Sequence, residues 1–280
     1  MGITFGPGGN SLSWGKRRFP QDLPQYLGEM GLNGYEIECG RGVRLSSATT
    51  QLLPQLAREH GIYVTLHAPY FISLSSVDEQ TRLKSIDYIL QSAQAAKSVG
   101  ARKIVVHSGS CSKITREEAS ALAADTLRRA QAALDEAGLS DIIICPETMG
   151  KINQLGTLDE VVELCGVDER FLPTVDFGHL NARTLGGIRT KGDYAAILDR
   201  IEDKLGHDRL SSMHIHFSKI EYTAGGEKRH LTFEDSAYGP QFEPLMEELH
   251  RRGLQPSIIC ESDGTQAEDA AAMKQYYEGL

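Results

Sequence analysis

Short apolar runs alternate with amphipathic stretches from one end of the chain to the other. The runs cover 2–5, 34–39, 62–66, 103–106, 142–145, 171–175, 210–217 and 257–260. Each is strand-sized and nearly continuous, the pattern of parallel strands covered on both faces. Between them, apolar residues at helical spacing predict helices over 23–30, 48–60, 194–205, 242–252 and 267–277, with a long one carrying Ile86, Ile89, Leu90, Ala93 and Ala96. Two capping boxes, Thr115-x-x-Glu118 and Thr157-x-x-Glu160, mark further helix starts, and Gly138 and Gly166 mark their ends. A Gly-rich turn, Gly6-Pro7-Gly8-Gly9-Asn10, follows the first strand and allows backbone to approach a ligand. Roughly eight strand–helix pairs closing on themselves form a (β/α)8 barrel, an α/β fold, expected to occupy 1–280 as one domain.

In such a barrel the C-terminal strand ends share one mouth, however far apart they lie in sequence. His67, His107, Glu147, Asp176, His214 and Glu261 fall at such ends, and His179 follows Asp176 by three residues. His230 lies in the long polar loop after the seventh strand, on the same side. A crowd of carboxylates would repel, and divalent cations remove that repulsion. Mixed His and carboxylate donors suit zinc first, with manganese or iron as alternatives. The donors outnumber one coordination sphere, so two or three ions are expected, with Glu147 as a bridge. His216 faces the same side of its strand as His214; it either replaces His214 as a ligand or supports it from behind. Clustered metals best serve phosphate-ester hydrolysis, with Glu147 at the catalytic centre.

Composition narrows the setting. Over 280 residues the chain is 40% hydrophobic and 24% charged, as a globular protein is, and its longest apolar runs are too short for a membrane span. No signal-peptide pattern opens the sequence, and five cysteines without Cys-x-x-Cys point to free thiols in a cytoplasmic protein. The net charge of −9 argues against a broad nucleic-acid-coating surface but not against a local basic groove or a metal-bearing mouth.

The segments His67-Ala68-Pro69-Tyr70, His107-Ser108-Gly109, Pro146-Glu147-Thr148-Met149-Gly150-Lys151, Val175-Asp176-Phe177-Gly178-His179, His214-Ile215-His216-Phe217-Ser218-Lys219 and Ile259-Cys260-Glu261-Ser262 resemble, in order, the blocks of the endonuclease IV family of apurinic/apyrimidinic endonucleases. The resemblance implies a trinuclear zinc site that cleaves damaged double-stranded DNA 5′ to an abasic nucleotide, leaving a 3′-hydroxyl. It implies that His67, His107 and Glu147 hold the first zinc, that Glu147, Asp176, His214 and Glu261 hold the second, and that His179 and His230 belong to the third. The family's third-zinc loop carries Asp-x-His, whereas this chain has Lys228-Arg229-His230. An ammonium has no lone pair for zinc. The third site is therefore weakened, completed by another carboxylate such as Glu227 or Glu221, or absent with Lys228 contacting phosphate. Substrate contacts are expected from Tyr70 against an unstacked base or sugar, from Arg41 and Arg44, and from Lys151, Lys219 and Arg229. A monomer is expected. The competing reading is a single-metal sugar isomerase or epimerase of the same barrel superfamily, using Glu147, Asp176, His214 and Glu261; His67 and His107 would then have little use.

Overall fold

The computed structural model describes residues 2–111 and 113–280. The elements in chain order are β1 (Thr4–Pro7), α1 (Leu23–Glu29), β2 (Gly34–Glu38), α2 (Ser47–His60), β3 (Tyr63–His67), α3 (Glu79–Val99), β4 (Lys103–His107), α4 (Arg116–Glu136), β5 (Ile143–Glu147), α5 (Leu158–Cys165), β6 (Thr174–Asp176), α6 (Phe177–Arg183), α7 (Lys191–Leu205), α8 (His207–Ser211), β7 (His214–Phe217), β8 (Lys219–Thr223), β9 (Gly226–Leu231), α9 (Glu243–Arg252), β10 (Ser257–Cys260) and α10 (Gln266–Glu278). Eight parallel strands run in the order β1-β10-β7-β6-β5-β4-β3-β2, and β8 and β9 form a separate antiparallel hairpin. At the seam β1 meets β2 through a parallel bridge between Gly8 and Glu36. Glycine makes that approach feasible: a Cβ on Gly6 would lie 2.0 Å from the Gly34 carbonyl oxygen. The (β/α)8 barrel is thus nearly closed.

Local sequence explains most boundaries. Both predicted capping boxes form, with Thr115 and Thr157 accepting from the Glu118 and Glu160 amides. Gly61 and Gly100 end α2 and α3 in the left-handed conformation that an L side chain resists. Three elements depart from the pattern read in the sequence. The apolar stretch at 210–213 belongs to α8 and the turn after it, so β7 starts only at His214. The polar loop after β7 is a hairpin. Directly after Asp176 the chain turns into α6, which Asp176 caps by accepting the His179 amide at 2.7 Å.

Register sets the depth of each side chain in the barrel. Asp176 pairs with His216, and His107 with Glu147, placing these residues at the C-terminal rim. His214 pairs with Thr174 and Ser257, two residues further down the strand. The barrel interior, usually filled with branched apolar side chains, here holds a buried polar column that includes Glu36, Thr65, Lys103, His214, His216 and Ser257.

Candidate metal centre

Two buried carboxylate oxygens at the rim have no hydrogen-bond partner: Glu147 Oε2 and Asp176 Oδ2. Such atoms ordinarily cost about 1–3 kcal/mol each, so two side by side call for a cation. Asp176 spends Oδ1 on capping α6, which leaves Oδ2 without a hydrogen bond, 3.3 Å from His179 Nδ1. Around Glu147 Oε2 stand His107 Nε2 at 3.2 Å and His67 Nε2 at 3.4 Å. His67 Nδ1 lies 2.8 Å from the Ala68 carbonyl oxygen, an acceptor only, so Nδ1–H is fixed and Nε2 is the nitrogen turned to the cluster, the one whose lone pair a cation would take. His67, His107 and Glu147 thus form one donor group, and Glu147, Asp176, His216 and Glu261 a second, with Glu147 common to both.

The hairpin supplies a third group of His179, Glu227 and His230. His179 donates Nδ1–H to the Thr148 carbonyl at 3.0 Å, leaving Nε2 toward Glu227 Oε2 at 3.5 Å. His230 Nδ1 is held by the Ser218 hydroxyl at 2.9 Å. Residues 227 and 230 would face opposite sides of a regular strand. A bulge prevents this: Ile220 pairs with His230, Glu221 with Arg229, but Tyr222 with Glu227, so Lys228 is the extra residue. Lys228 and Arg229 both turn outward onto Glu221, at 2.5 and 2.7 Å, and Glu227 and His230 share the inner face. The carboxylate expected at 228 is therefore supplied from 227. Gly150 makes room for it, since a Cβ there would sit 2.6 Å from Glu227 Cβ and 2.9 Å from His179 Cδ2.

Several sequence expectations are corrected here. His216, not His214, stands with Glu147, Asp176 and Glu261, because the β6–β7 register puts His214 a layer deeper. Lys228 is paired on the outer face of the hairpin rather than in the mouth, as are Arg229 and Glu221. Lys219 is buried, donating to the Phe233 and Asp235 carbonyls, and reaches no substrate surface. Tyr70 does line the mouth, stacked on His107 with ring centroids 5.2 Å apart and 54% exposed. That mouth, about 450 Å³, is also lined by Lys151, Gln154, Glu227 and Glu261. Arg41 and Arg44 line a second cleft of about 490 Å³ that shares Tyr70, His230 and Glu261 with it. Sequence reading missed Glu36 and Glu38, whereas Glu227 was one of the two carboxylates expected to complete the third site. Glu36 lies 2.7 Å from His216 Nε2 and 3.0 Å from His214 Nε2, and Glu38 receives the Tyr70 hydroxyl at 3.3 Å. Carboxylates at alternate positions of an otherwise apolar strand were the available signal for the first two.

Electrostatics match a cluster built around positive charge. Burial raises the Glu261 carboxyl and His216 opposes it, but Glu147 and Asp176 keep it up, at about 8. Burial disfavours the His67 imidazolium, yet Glu147, Glu38 and Glu36 outweigh it and hold the ring at about 10. His179 is likewise carried to about 9 against burial by Asp176, Glu227 and Glu147. Burial dominates at His214, which falls to about 4 and is neutral.

Comparison with known proteins gives the lineage. A profile described as Xylose isomerase-like TIM barrel matches residues 24–278. An uncharacterized protein of Methanocaldococcus jannaschii is 30% identical over 252 residues, covering 90% of each chain. A probable endonuclease 4 of Acholeplasma laidlawii is 28% identical over 179 residues, 62% of this chain and 60% of that one. Among solved structures, a D-tagatose 3-epimerase-like protein superposes with a TM-score of 0.71 at 19% identity, over 99% of this chain and 97% of that one. Endonuclease IV from Thermus thermophilus superposes with a TM-score of 0.66 at 17% identity, over 99% and 100%. At such identities the superpositions speak for the fold, whereas the profile spans nearly the whole sequence: the chain belongs to the Xylose isomerase-like TIM barrel family.

Proposed function

We propose that this protein is a metal-dependent phosphodiester hydrolase that nicks duplex DNA 5′ to abasic sites and leaves a 3′-hydroxyl, with zinc as its metal. The observation that carries the reading is the additional donor group of His67, His107 and Glu147. His67 and His107 aim Nε2 at the orphaned Glu147 oxygen, beside a four-residue group already sufficient for one ion. Two or three bound cations would supply hydroxide at neutral pH and charge for the phosphate and the leaving oxygen. His67, His107 and Glu147 would hold one, Glu147, Asp176, His216 and Glu261 another, and His179, Glu227 and His230 a third.

The chain's own residues do the rest. Tyr70, half exposed and braced on His107, offers a flat face to an unstacked base or deoxyribose. Gly40 allows that placement, since a Cβ there would fall 2.3 Å from the Tyr70 ring. Arg41 and Arg44 in the adjoining cleft, and Lys151 in the mouth, give local positive charge for backbone phosphates on a chain of net charge −9. Similarity to proteins named as probable endonuclease 4 supports the substrate class.

A one-metal sugar epimerase is the second reading, favoured by the epimerase-like neighbour and by the completeness of the Glu147–Asp176–His216–Glu261 group. Incubation of zinc-loaded protein with a duplex bearing one tetrahydrofuran abasic analogue separates the two. Nicking that yields a 3′-hydroxyl, stops with chelator and falls at least ~100-fold in His107→Ala supports the hydrolase. An intact duplex alongside epimerisation of a ketose would overturn it.

A further inference from the structure

The mouth is explained by its donors, but the buried column beneath it is not. Glu36 lies wholly inside the barrel, and its carboxylate is the meeting point of that column. Oε1 faces His216 Nε2 at 2.7 Å; Oε2 accepts the Thr65 hydroxyl at 2.7 Å and faces His214 Nε2 at 3.0 Å. Behind His214, Nδ1 lies 2.7 Å from Ser257 Oγ, and that oxygen accepts from Lys103 Nζ at 3.0 Å. Lys103 spends its other protons on the Ser212 and Met213 carbonyls. An ionised carboxylate can only accept, so the contact at Oε1 requires a proton on His216 Nε2. The other nitrogen, Nδ1, faces Glu147 Oε1 at 2.8 Å and Glu261 Oε2 at 3.5 Å, and by the same rule its proton is the one that a cation placed between those carboxylates would displace.

We propose that Glu36 is a positioning residue: it fixes the Nε2–H tautomer and the ring plane of His216, so that Nδ1 is presented to a divalent cation between Glu147 and Glu261. Ser257, His214 and Lys103 in turn hold Glu36 in place from the far end of the barrel. The arrangement is a carboxylate–histidine–metal relay, in which the outer carboxylate sets the ligand's orientation and basicity. The inference rests on the rim being a metal centre, as proposed above. It explains why the barrel axis carries charge where packing alone would favour branched apolar residues.

The test uses Glu36→Gln, which keeps the size of the side chain but turns one acceptor oxygen into an N–H donor. At least one of His216, His214 and Thr65 then loses its acceptor, and the His216 tautomer is no longer imposed. Zinc affinity, measured by competition with a chromophoric chelator, should fall 10–100-fold for one ion. A second measurement needs no variant: long-range 1H–15N correlation spectra of zinc-loaded wild-type protein should show His216 protonated at Nε2 and metal-bound at Nδ1. Zinc bound equally tightly by Glu36→Gln, or a wild-type His216 protonated at Nδ1, overturns the role of Glu36 while leaving the metal centre standing. Wild-type protein that takes up no zinc overturns both.

Discussion

At the scale of single residues, His214 and His216 show how position in a barrel divides similar side chains between tasks. Both point inward, as period two demands. His216 reaches the rim beside Asp176; His214 stays a layer below, neutral and enclosed by Ser257 and Glu36. His216→Ala should therefore lower the bound metal by about one ion per chain, read by elemental analysis after desalting. His214→Ala should leave the metal count unchanged and lower unfolding stability by about 1–3 kcal/mol, because it strips partners from a buried network. Loss of an ion on removing His214 but not His216 would reverse the assignment. The sequence alone could not separate the pair, since the alternation identifies a face but not a depth. Depth comes from strand stagger, which only the closed sheet defines.

Titration belongs to this scale too. With His67 at about 10, His179 at about 9 and Glu261 at about 8, all three carry protons at neutral pH in the metal-free protein. Raised folded-state values mean that the stability they contribute is complete below their unfolded values of about 6.5 for histidine and about 4.3 for glutamate. It is lost as pH rises through about 8 to 10. Metal-free protein should accordingly become less stable from pH 6.5 to 9, and metal uptake at pH 7 should release about two to three protons. Calorimetry in buffers of different ionisation enthalpy checks the second figure; no proton release would mean that these groups are not the ligands.

At the scale of elements, the hairpin of β8 and β9 completes the mouth through one inserted residue. Lys228 occupies the bulge and pairs with Glu221 on the solvent side, a contact worth about 0–1 kcal/mol. Lys228→Ala, and equally Lys228→Asp, should leave metal content unchanged because Glu227 already fills the place. Inserting one residue between Glu221 and Tyr222 should give Lys228 a cross-strand partner, regularise the ladder, turn Glu227 away from His230 and cost about one ion. Gly150→Ala should weaken the same ion by pushing on Glu227 and His179. If Lys228→Asp raised the metal count while the insertion changed nothing, the bulge would have no part in the site. This element lay beyond sequence reading because a bulge is one residue of irregularity in a polar stretch, with no hydrophobic period to betray it. The strand-end donors, by contrast, were legible, since most of the near-continuous apolar runs lead into His, Asp or Glu and parallel strands end on one side. Capping boxes fixed α4 and α5 for the same kind of reason: their signal is local.

At the scale of the whole molecule, ring closure brings positions 36 to 261 into one column of charge that runs from Lys103 up the barrel axis to the mouth. Glu36 and Glu38 could be seen as carboxylates in a strand, but that Glu36 points into the interior while Glu38 lines the cleft at its mouth follows only from the closed sheet. Among the described residues no helix is long and apolar enough to cross a membrane. If the protein acts on DNA as proposed, a net charge of −9 leaves the attraction to Arg41, Arg44, Lys151 and the cations that the mouth would hold. An Arg41→Ala/Arg44→Ala double variant should raise KM for abasic duplex and flatten the salt dependence of binding, with kcat largely kept. The account stands or falls on the number of cations that the mouth holds. Zinc-loaded protein, desalted and analysed for metal by inductively coupled plasma mass spectrometry, should carry about two to three ions per chain; one ion or none would contradict it.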